Sequence, residues 1–339
     1  MTTPLLDLID ISKRFDPKLS LGDRIAARVG GDVETRSVQA VRSVTLTLAK
    51  GETLGLVGES GCGKSTLGRI AAGIMRPTSG TVRLDGKPMM SAAGTKLTTR
   101  VQTVFQDPFA SLNPRIKVGD TLTEGPIAHG LVTRAKAKSY IAEWLSLVGL
   151  DPSFADRYPH QFSGGQRQRI AIARALAMQP DVIVCDEPVA SLDVSIQAQI
   201  INLLLKLRRE LDLTYLFISH DLGVVRHISD RVAIMYLGRV VEIGETVSLY
   251  ERPQHPYTQA LLASVPRLII DENDLAEFEP IAGEIPSPLA PPPGCSFHTR
   301  CRHAGPRCSR EVPPLIRGSA ERPTACHLYT GGVDLVAAA

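Results

Sequence analysis

The chain lacks any large excess of charge. Its 38 Lys and Arg against 35 Asp and Glu leave a net charge of only +3, so nothing global argues for nucleic acid as a partner and only a local motif could. It also lacks long apolar stretches: no uninterrupted run approaches the roughly 18 to 20 residues a spanning helix requires. The opening MTTPLLDLID has two acids and no basic region before an apolar stretch, unlike a secretory leader. No internal repeat is present. The expectation is a soluble, cytosolic chain, still able to dock on a membrane protein. Thiols stay reduced in that compartment, so the four C-terminal cysteines are better suited to a metal than to disulfides.

What is there is organised in two parts. At 339 residues the chain is long enough for one large domain with an appendage. From about residue 5 to 250, β-type runs alternate with helix-patterned segments: SVTLTL (43–48), TLGLV (53–57), DVIVC (181–185) and TYLFIS (214–219). That alternation predicts an α/β domain around a largely parallel sheet. RVAIMY-LG-RVVEIG (231–244) predicts a hairpin, and residues 16–37 read as a surface insertion of no legible purpose. A Pro-bounded helix pattern over 252–267 and an acidic stretch follow. IPSPLAPPPG (285–294) then marks a stiff linker. The last segment is rich in Cys, His, Arg and Pro and too poor in apolar residues to form its own core. A bound metal would order it.

GESGCGKST (58–66) fits the G-x-x-x-x-G-K-[ST] pattern between an apolar strand and a segment with Leu67, Ile70, Ala71 and Ile74 at helical spacing. Gly58, Gly61 and Gly63 allow the backbone to approach phosphates, whose oxygens face N–H groups at a helix N-terminus. Lys64 is expected on the β- and γ-phosphates and Ser65 on Mg²⁺. Ser60, Cys62 and Thr66 complete the loop, with Cys62 more a filler than a ligand. DVIVCDEP (181–188) ends an apolar run in two carboxylates, Asp186 for the metal shell and Glu187 for the attacking water. In QFSGGQRQRIAIARALAMQP (161–180), Ser163 and Gln166 have capping-box spacing, and Gly164 and Gly165 leave the helix N-terminus bare, a second phosphate receptor.

These motifs together resemble ATP-binding cassette (ABC) ATPases, whose Ser-Gly-Gly-Gln signature completes the nucleotide site of a second subunit. The resemblance implies the P-loop NTPase fold of an ABC cassette over 1–251, ATP and Mg²⁺ as cofactors, and further site residues. Gln106 in VFQDPFASLNPR is similar to the glutamine that touches Mg²⁺ and water. Asp193 in SLD matches the partner-facing loop, His220 in FISHDL the γ-phosphate switch, and Phe15 in ISKRF the aromatic stacked on adenine. By itself a lone His after a strand, or a lone Phe, is as readily structural.

QDPFASLNPR (106–115) and HPYTQALLASVP (255–266) resemble the peptide-importer branch. That implies an ATPase subunit driving import of di- or oligopeptides, on the cytoplasmic face of the membrane. Its partners would be a second ATPase subunit, identical or paralogous, two transmembrane permeases and an extracytoplasmic solute-binding protein. Nickel or another small solute is the alternative cargo. A non-transport cassette on ribosomes or DNA is the rival reading, disfavoured by one set of motifs and no basic arm. The resemblance also implies an extension over 252–339. Its Cys295, Cys301, Cys308 and Cys326, spaced C-x5-C-x6-C-x17-C, match neither C-x2-C zinc pairs nor ferredoxin patterns. Four thiolates suit a [4Fe–4S] cluster or zinc, with unliganded thiols as the third reading. Similarity to cluster-bearing members of the branch favours the cluster, with Arg300, Arg302, Arg307 and Arg310 balancing its charge. His298, His303 and His327 read as surrounding groups, and Cys185 as a buried hydrophobe.

Overall fold

The computed structural model describes residues 4–17, 37–107, 111–264, 281 and 283–330. Most of the 16–37 insertion, the acidic stretch after 264 and residues 108–110 lie outside them.

Two sheets meet in the cassette. The first is antiparallel, in the order β2-β1-β4-β5, from β1 (Leu6–Phe15), β2 (Val38–Leu48), β4 (Ser79–Leu84) and β5 (Lys87–Pro88). In β2 the residues Val44, Leu46 and Leu48 face inward while their neighbours face water, the alternation of a half-buried strand. The second, in the order β10-β9-β3-β8-β7-β6, comprises β3 (Thr53–Val57), β6 (Val101–Val104), β7 (Val182–Asp186), β8 (Thr214–Ile218), β9 (Arg231–Tyr236) and β10 (Arg239–Glu245). Its pairs are parallel except β9 with β10. β3, β7 and β8 are buried at every position, which explains their unbroken apolar runs: both faces are covered. The hairpin turn falls at Leu237 and Gly238, whose φ values of 41° and 81° belong to the left-handed pair that a tight two-residue connection needs.

The helices are α1 (Lys64–Ala71), α2 (Val118–Ala128), α3 (Ala137–Leu147), α4 (Gly164–Leu176), α5 (Val194–Leu211), α6 (Leu222–Ile228), α7 (Thr246–Glu251) and α8 (Pro256–Ala263). α1 ends earlier than the spacing of Ile74 predicts: that side chain lies past the helix and is half exposed. α5 buries Ile200, Ile201, Leu203, Leu204 and Leu207 as a single stripe. Gly55 is fixed by packing, since a Cβ there would lie 2.5 Å from Val225 of α6.

The C-terminal segment is ordered differently from the expectation. It shares a core with the cassette instead of depending on metal alone. Phe297 is buried against Tyr236 and Tyr257, with ring centroids 5.3 Å from each. Thr324 bridges Glu242 on the edge of β10, and Ala325 N donates to Val241 O at 2.7 Å. Beneath that edge the fully buried Glu242 accepts from Arg322 Nη1 at 2.9 Å and from the backbone of Gln254 and His255.

Candidate active site

Every side chain of the site stands at the C-terminal edge of the parallel strands, where an α/β sheet opens a crevice for ligands. The phosphate loop joins β3 to α1, Asp186 closes β7, Gln106 follows β6 and His220 follows β8. Ser60, Gly61, Gly63, Lys64, Ser65, Thr66, Gln106 and Glu187 line one cleft of about 260 Å³. The loop's glycines differ in purpose. A Cβ at Gly58 would lie 2.1 Å from Met235 O and one at Gly63 2.1 Å from Ala40 O, so packing forbids both. Gly61 has φ 76° and open space around it, leaving its backbone accessible.

Lys64 is buried and donates to the carbonyls of Gly58 (2.7 Å) and Glu59 (3.0 Å). Ser65 Oγ donates to Asp186 Oδ1 at 2.9 Å. Burial raises the Asp186 carboxyl above its ordinary range, against the lowering effect of the Ser65 bond and Arg69. Two hard oxygen donors thus meet beside the loop, a pair chemically suited to Mg²⁺. Glu187 has a left-handed φ of 49°, unusual for a residue with a side chain. Its N–H donates to Ile218 O at 3.0 Å, and its Oε2 accepts from Gln106 Nε2 at 3.1 Å and lies 3.2 Å from His220 Nδ1. Gln106 and His220, 81 and 33 positions from Glu187 in the chain, therefore meet at one of its carboxylate oxygens.

The signature segment lies elsewhere. Ser163 caps α4, its Oγ accepting from Gln166 N while Gln166 Oε1 accepts from Ser163 N, the reciprocal box its spacing predicts. Ser163 and Asp193 are exposed, and neither they nor Gly164, Gly165 or Gln166 line the cleft beside Lys64. Gly165 has a packing reason too: a Cβ would stand 2.6 Å from Ile196 of α5. Phe15 ends β1, 40% exposed as a residue and opposite Val38, which lines the cleft. The Cys62 side chain is buried in the core between the two sheets and does not line the cleft.

The motifs gave no sign of other cleft residues. Val38–Ala40, the Leu237–Gly238 turn and Pro288 of the proline-rich segment also line it. Nor did they show that Glu59 is bound by Arg300, a residue sequence reasoning had set beside the cysteines. An acid inside a phosphate loop calls for a nearby cation, and that was the available signal. Arg307 instead pairs with Glu311 on the surface.

Cys295, Cys301, Cys308 and Cys326 line a single cavity of about 240 Å³, with His298, His303 and His327 on its wall. Backbone N–H groups approach each sulfur: Phe297 and His298 toward Cys295, His303 toward Cys301, Gly305 toward Cys308 and Leu328 toward Cys326. Burial pushes the thiols of Cys295 and Cys301 up and that of Cys326 to about 11. As they lie, no three Cys, His, Asp or Glu side chains among the described residues stand close enough together to hold a metal ion. The donor chemistry fits a thiophilic group, while ligation would require the sulfurs to draw inward.

A model of the ABC transporter family matches residues 41–190, and one of the oligopeptide/dipeptide transporter C-terminal region matches 241–308. The oligopeptide transport ATP-binding protein AppF of Bacillus subtilis is 49% identical over 330 residues, 96% of this chain and 98% of its own. The dipeptide transport ATP-binding protein DppF of Escherichia coli is 46% identical over 315 residues, covering 92% and 91%. Among solved structures, cbiO1 of Clostridium perfringens, part of the cbiONQ ABC transporter complex, superposes with a TM-score of 0.59 at 28% identity, over 74% of this chain and 91% of that one. A dimeric ATP-binding cassette bound to ADP and Pi matches with the same score and identity over 71% and 98%. This chain therefore belongs to the ABC transporter ATPases, in the branch carrying the oligopeptide/dipeptide transporter C-terminal region.

Proposed function

We propose that this chain is the ATP-hydrolysing subunit of a peptide importer, acting as one of two paired cassettes on the cytoplasmic face of a membrane. The observation that carries the chemistry is Glu187, held by Gln106 and His220 beside the Ser65–Asp186 pair. The cargo reading rests on relatives named for oligopeptide and dipeptide transport. Lys64 leaves its loop carbonyls for the β- and γ-phosphates. Ser65, Asp186 and Gln106 would hold Mg²⁺, which would neutralise phosphate charge. Glu187 takes the proton of the attacking water, Gln106 and His220 orienting it. Because the Ser163 segment and Asp193 are exposed away from the chain's own cleft, they serve the nucleotide of a second cassette, with Phe15 as the adenine platform.

Among the described residues no helix is long and apolar enough to cross a membrane; the partners in this reading are permease subunits and, for import, a solute-binding protein. A cavity of about 890 Å³ beside Gln106, lined by Gln102, Phe105, Glu124, Pro126, Arg174 and Met178, is the surface we assign to the permease. Phe105 adjoins Gln106, which couples that surface to the site. Cassette and extension divide near residue 251. The decisive test is uptake of labelled di- and oligopeptides into vesicles containing this chain with its permeases and binding protein. ATP-dependent accumulation is expected; ATP hydrolysis without uptake of any peptide would overturn the cargo reading.

The thiol cavity is the proposed seat of a [4Fe–4S] cluster, with zinc as the alternative. Protein purified anaerobically should hold about four iron and four sulfide per chain and absorb visibly, and Cys301→Ser should lose both. Stoichiometric zinc would replace the cluster in this reading, and metal-free protein would remove it.

A further inference from the structure

We infer that the C-terminal extension is a working part of the ATP site: Arg300 neutralises the phosphate-loop acid Glu59 in a bidentate grip, so the order of the thiol-bearing segment and ATP affinity are reciprocally linked. This goes beyond the hydrolytic machinery and rests on ATP binding, not on what the thiol cavity holds.

The grip is two-pronged. Arg300 Nη1 and Nη2 donate to the two carboxylate oxygens of Glu59 at 2.9 and 3.2 Å, a bidentate pairing that fixes direction as well as distance. The two side chains are only 4% and 18% exposed, so solvent does little to weaken the pair. The guanidinium is itself confined: Nη1 donates to Tyr236 Oη at 3.4 Å, and the group lies 6.0 Å from the rings of Tyr236 and Phe297. A second residue of the extension holds the same loop position, Tyr257 Oη accepting from Glu59 N at 3.0 Å. The Glu59 carbonyl in turn accepts from Lys64. Side chain, N–H and C=O of one phosphate-loop residue are thus all engaged, two of them by groups beyond residue 251.

Electrostatics gives the arrangement a consequence for binding. Glu59 is an acid one residue from Ser60, which lines the cleft that must receive a polyanion, and its charge opposes that polyanion unless neutralised. Arg300, which does not itself line that cleft, supplies the neutralising charge. It sits in a single 3₁₀ turn, His298–Arg300, between Cys295 and Cys301, so whatever orders those cysteines also orders the grip. By linkage, a segment that tightens ATP binding is itself tightened by ATP.

The test is a charge-rescue cycle in the full-length protein, reading the Kd for ATP and the split between KM and kcat. Arg300→Gln should weaken ATP binding by about tenfold or more, mostly in KM, by leaving the Glu59 carboxylate unneutralised beside the phosphates. Adding Glu59→Gln should return Kd to within about threefold of the parent, a non-additivity that a purely structural role for Arg300 would not produce. ATP binding unchanged in Arg300→Gln, or a double variant as weak as the single one, overturns the inference. If Arg300→Gln does not fold, hydrogen exchange decides. With Mg-ATPγS, amides 297–301 should exchange more slowly in the parent and lose that protection in Glu59→Gln; exchange indifferent to nucleotide in the parent overturns it.

Discussion

Replacing Glu187 with Gln should lower kcat for ATP hydrolysis by about 100- to 10,000-fold while leaving ATP affinity within about threefold. The amide keeps the size of the carboxylate and can still meet the Gln106 amide and His220, both of which reach Oε2. What it loses is the ability to accept a proton from water. Its left-handed backbone is held by the Glu187 N to Ile218 O bond, which the substitution leaves intact, so the variant should fold normally. Phosphate-release kinetics beside nucleotide binding make the separation visible. Turnover at the parent rate would remove Glu187 from the base role and with it the reading of the shared oxygen.

The largest effect on stability is expected at Glu242. Glu242→Ala should cost about 3–5 kcal/mol by leaving the Arg322 guanidinium without its buried counter-charge. The carboxylate is fully buried and Arg322 only 6% exposed. Arg322 would retain its bonds to the neutral acceptors Arg252 O and Ser248 O and Oγ, and the half-exposed Glu321 carboxylate 3.4 Å from Nη2 would replace only part of the buried counter-charge. Glu242→Leu with Arg322→Met should recover much of the loss, since neither charge then needs a partner. Urea unfolding reads the magnitude, and hydrogen exchange over 316–329 tells whether the extension detaches first. A single variant as stable as the parent would mean that the edge of β10 holds the extension by its backbone bonds and apolar contacts alone.

The sequence disclosed the site unevenly, and the reason is physical. Strands buried on both faces and a capped helix leave continuous local patterns, so β3, β7, β8, the β9–β10 hairpin and the Ser163 box were all readable. β1, β4 and β6 were not: they are half-exposed or only four residues long, and their apolar positions are too few to stand out. Lys64, Asp186 and Glu187 belong to motifs whose spacing reflects a single turn or strand end. Contacts between distant segments have no such spacing. Nothing near GESGCGKST announces Arg300, 241 residues away, and nothing in a proline-rich stretch announces that Pro288 walls the cleft. The expectation that metal alone orders the tail failed similarly: its apolar poverty is real, but Phe297 packs into a core supplied by Tyr236 and Tyr257.

The position of Pro288 bears on how the protein can be dissected. A fragment ending at residue 251 would retain every hallmark by which an ATPase of this kind is recognised. It would also be missing Tyr257, Pro288 and Arg300, one flanking wall and two fasteners of the nucleotide cleft. Rates measured on such a truncation would describe a different enzyme from the whole chain.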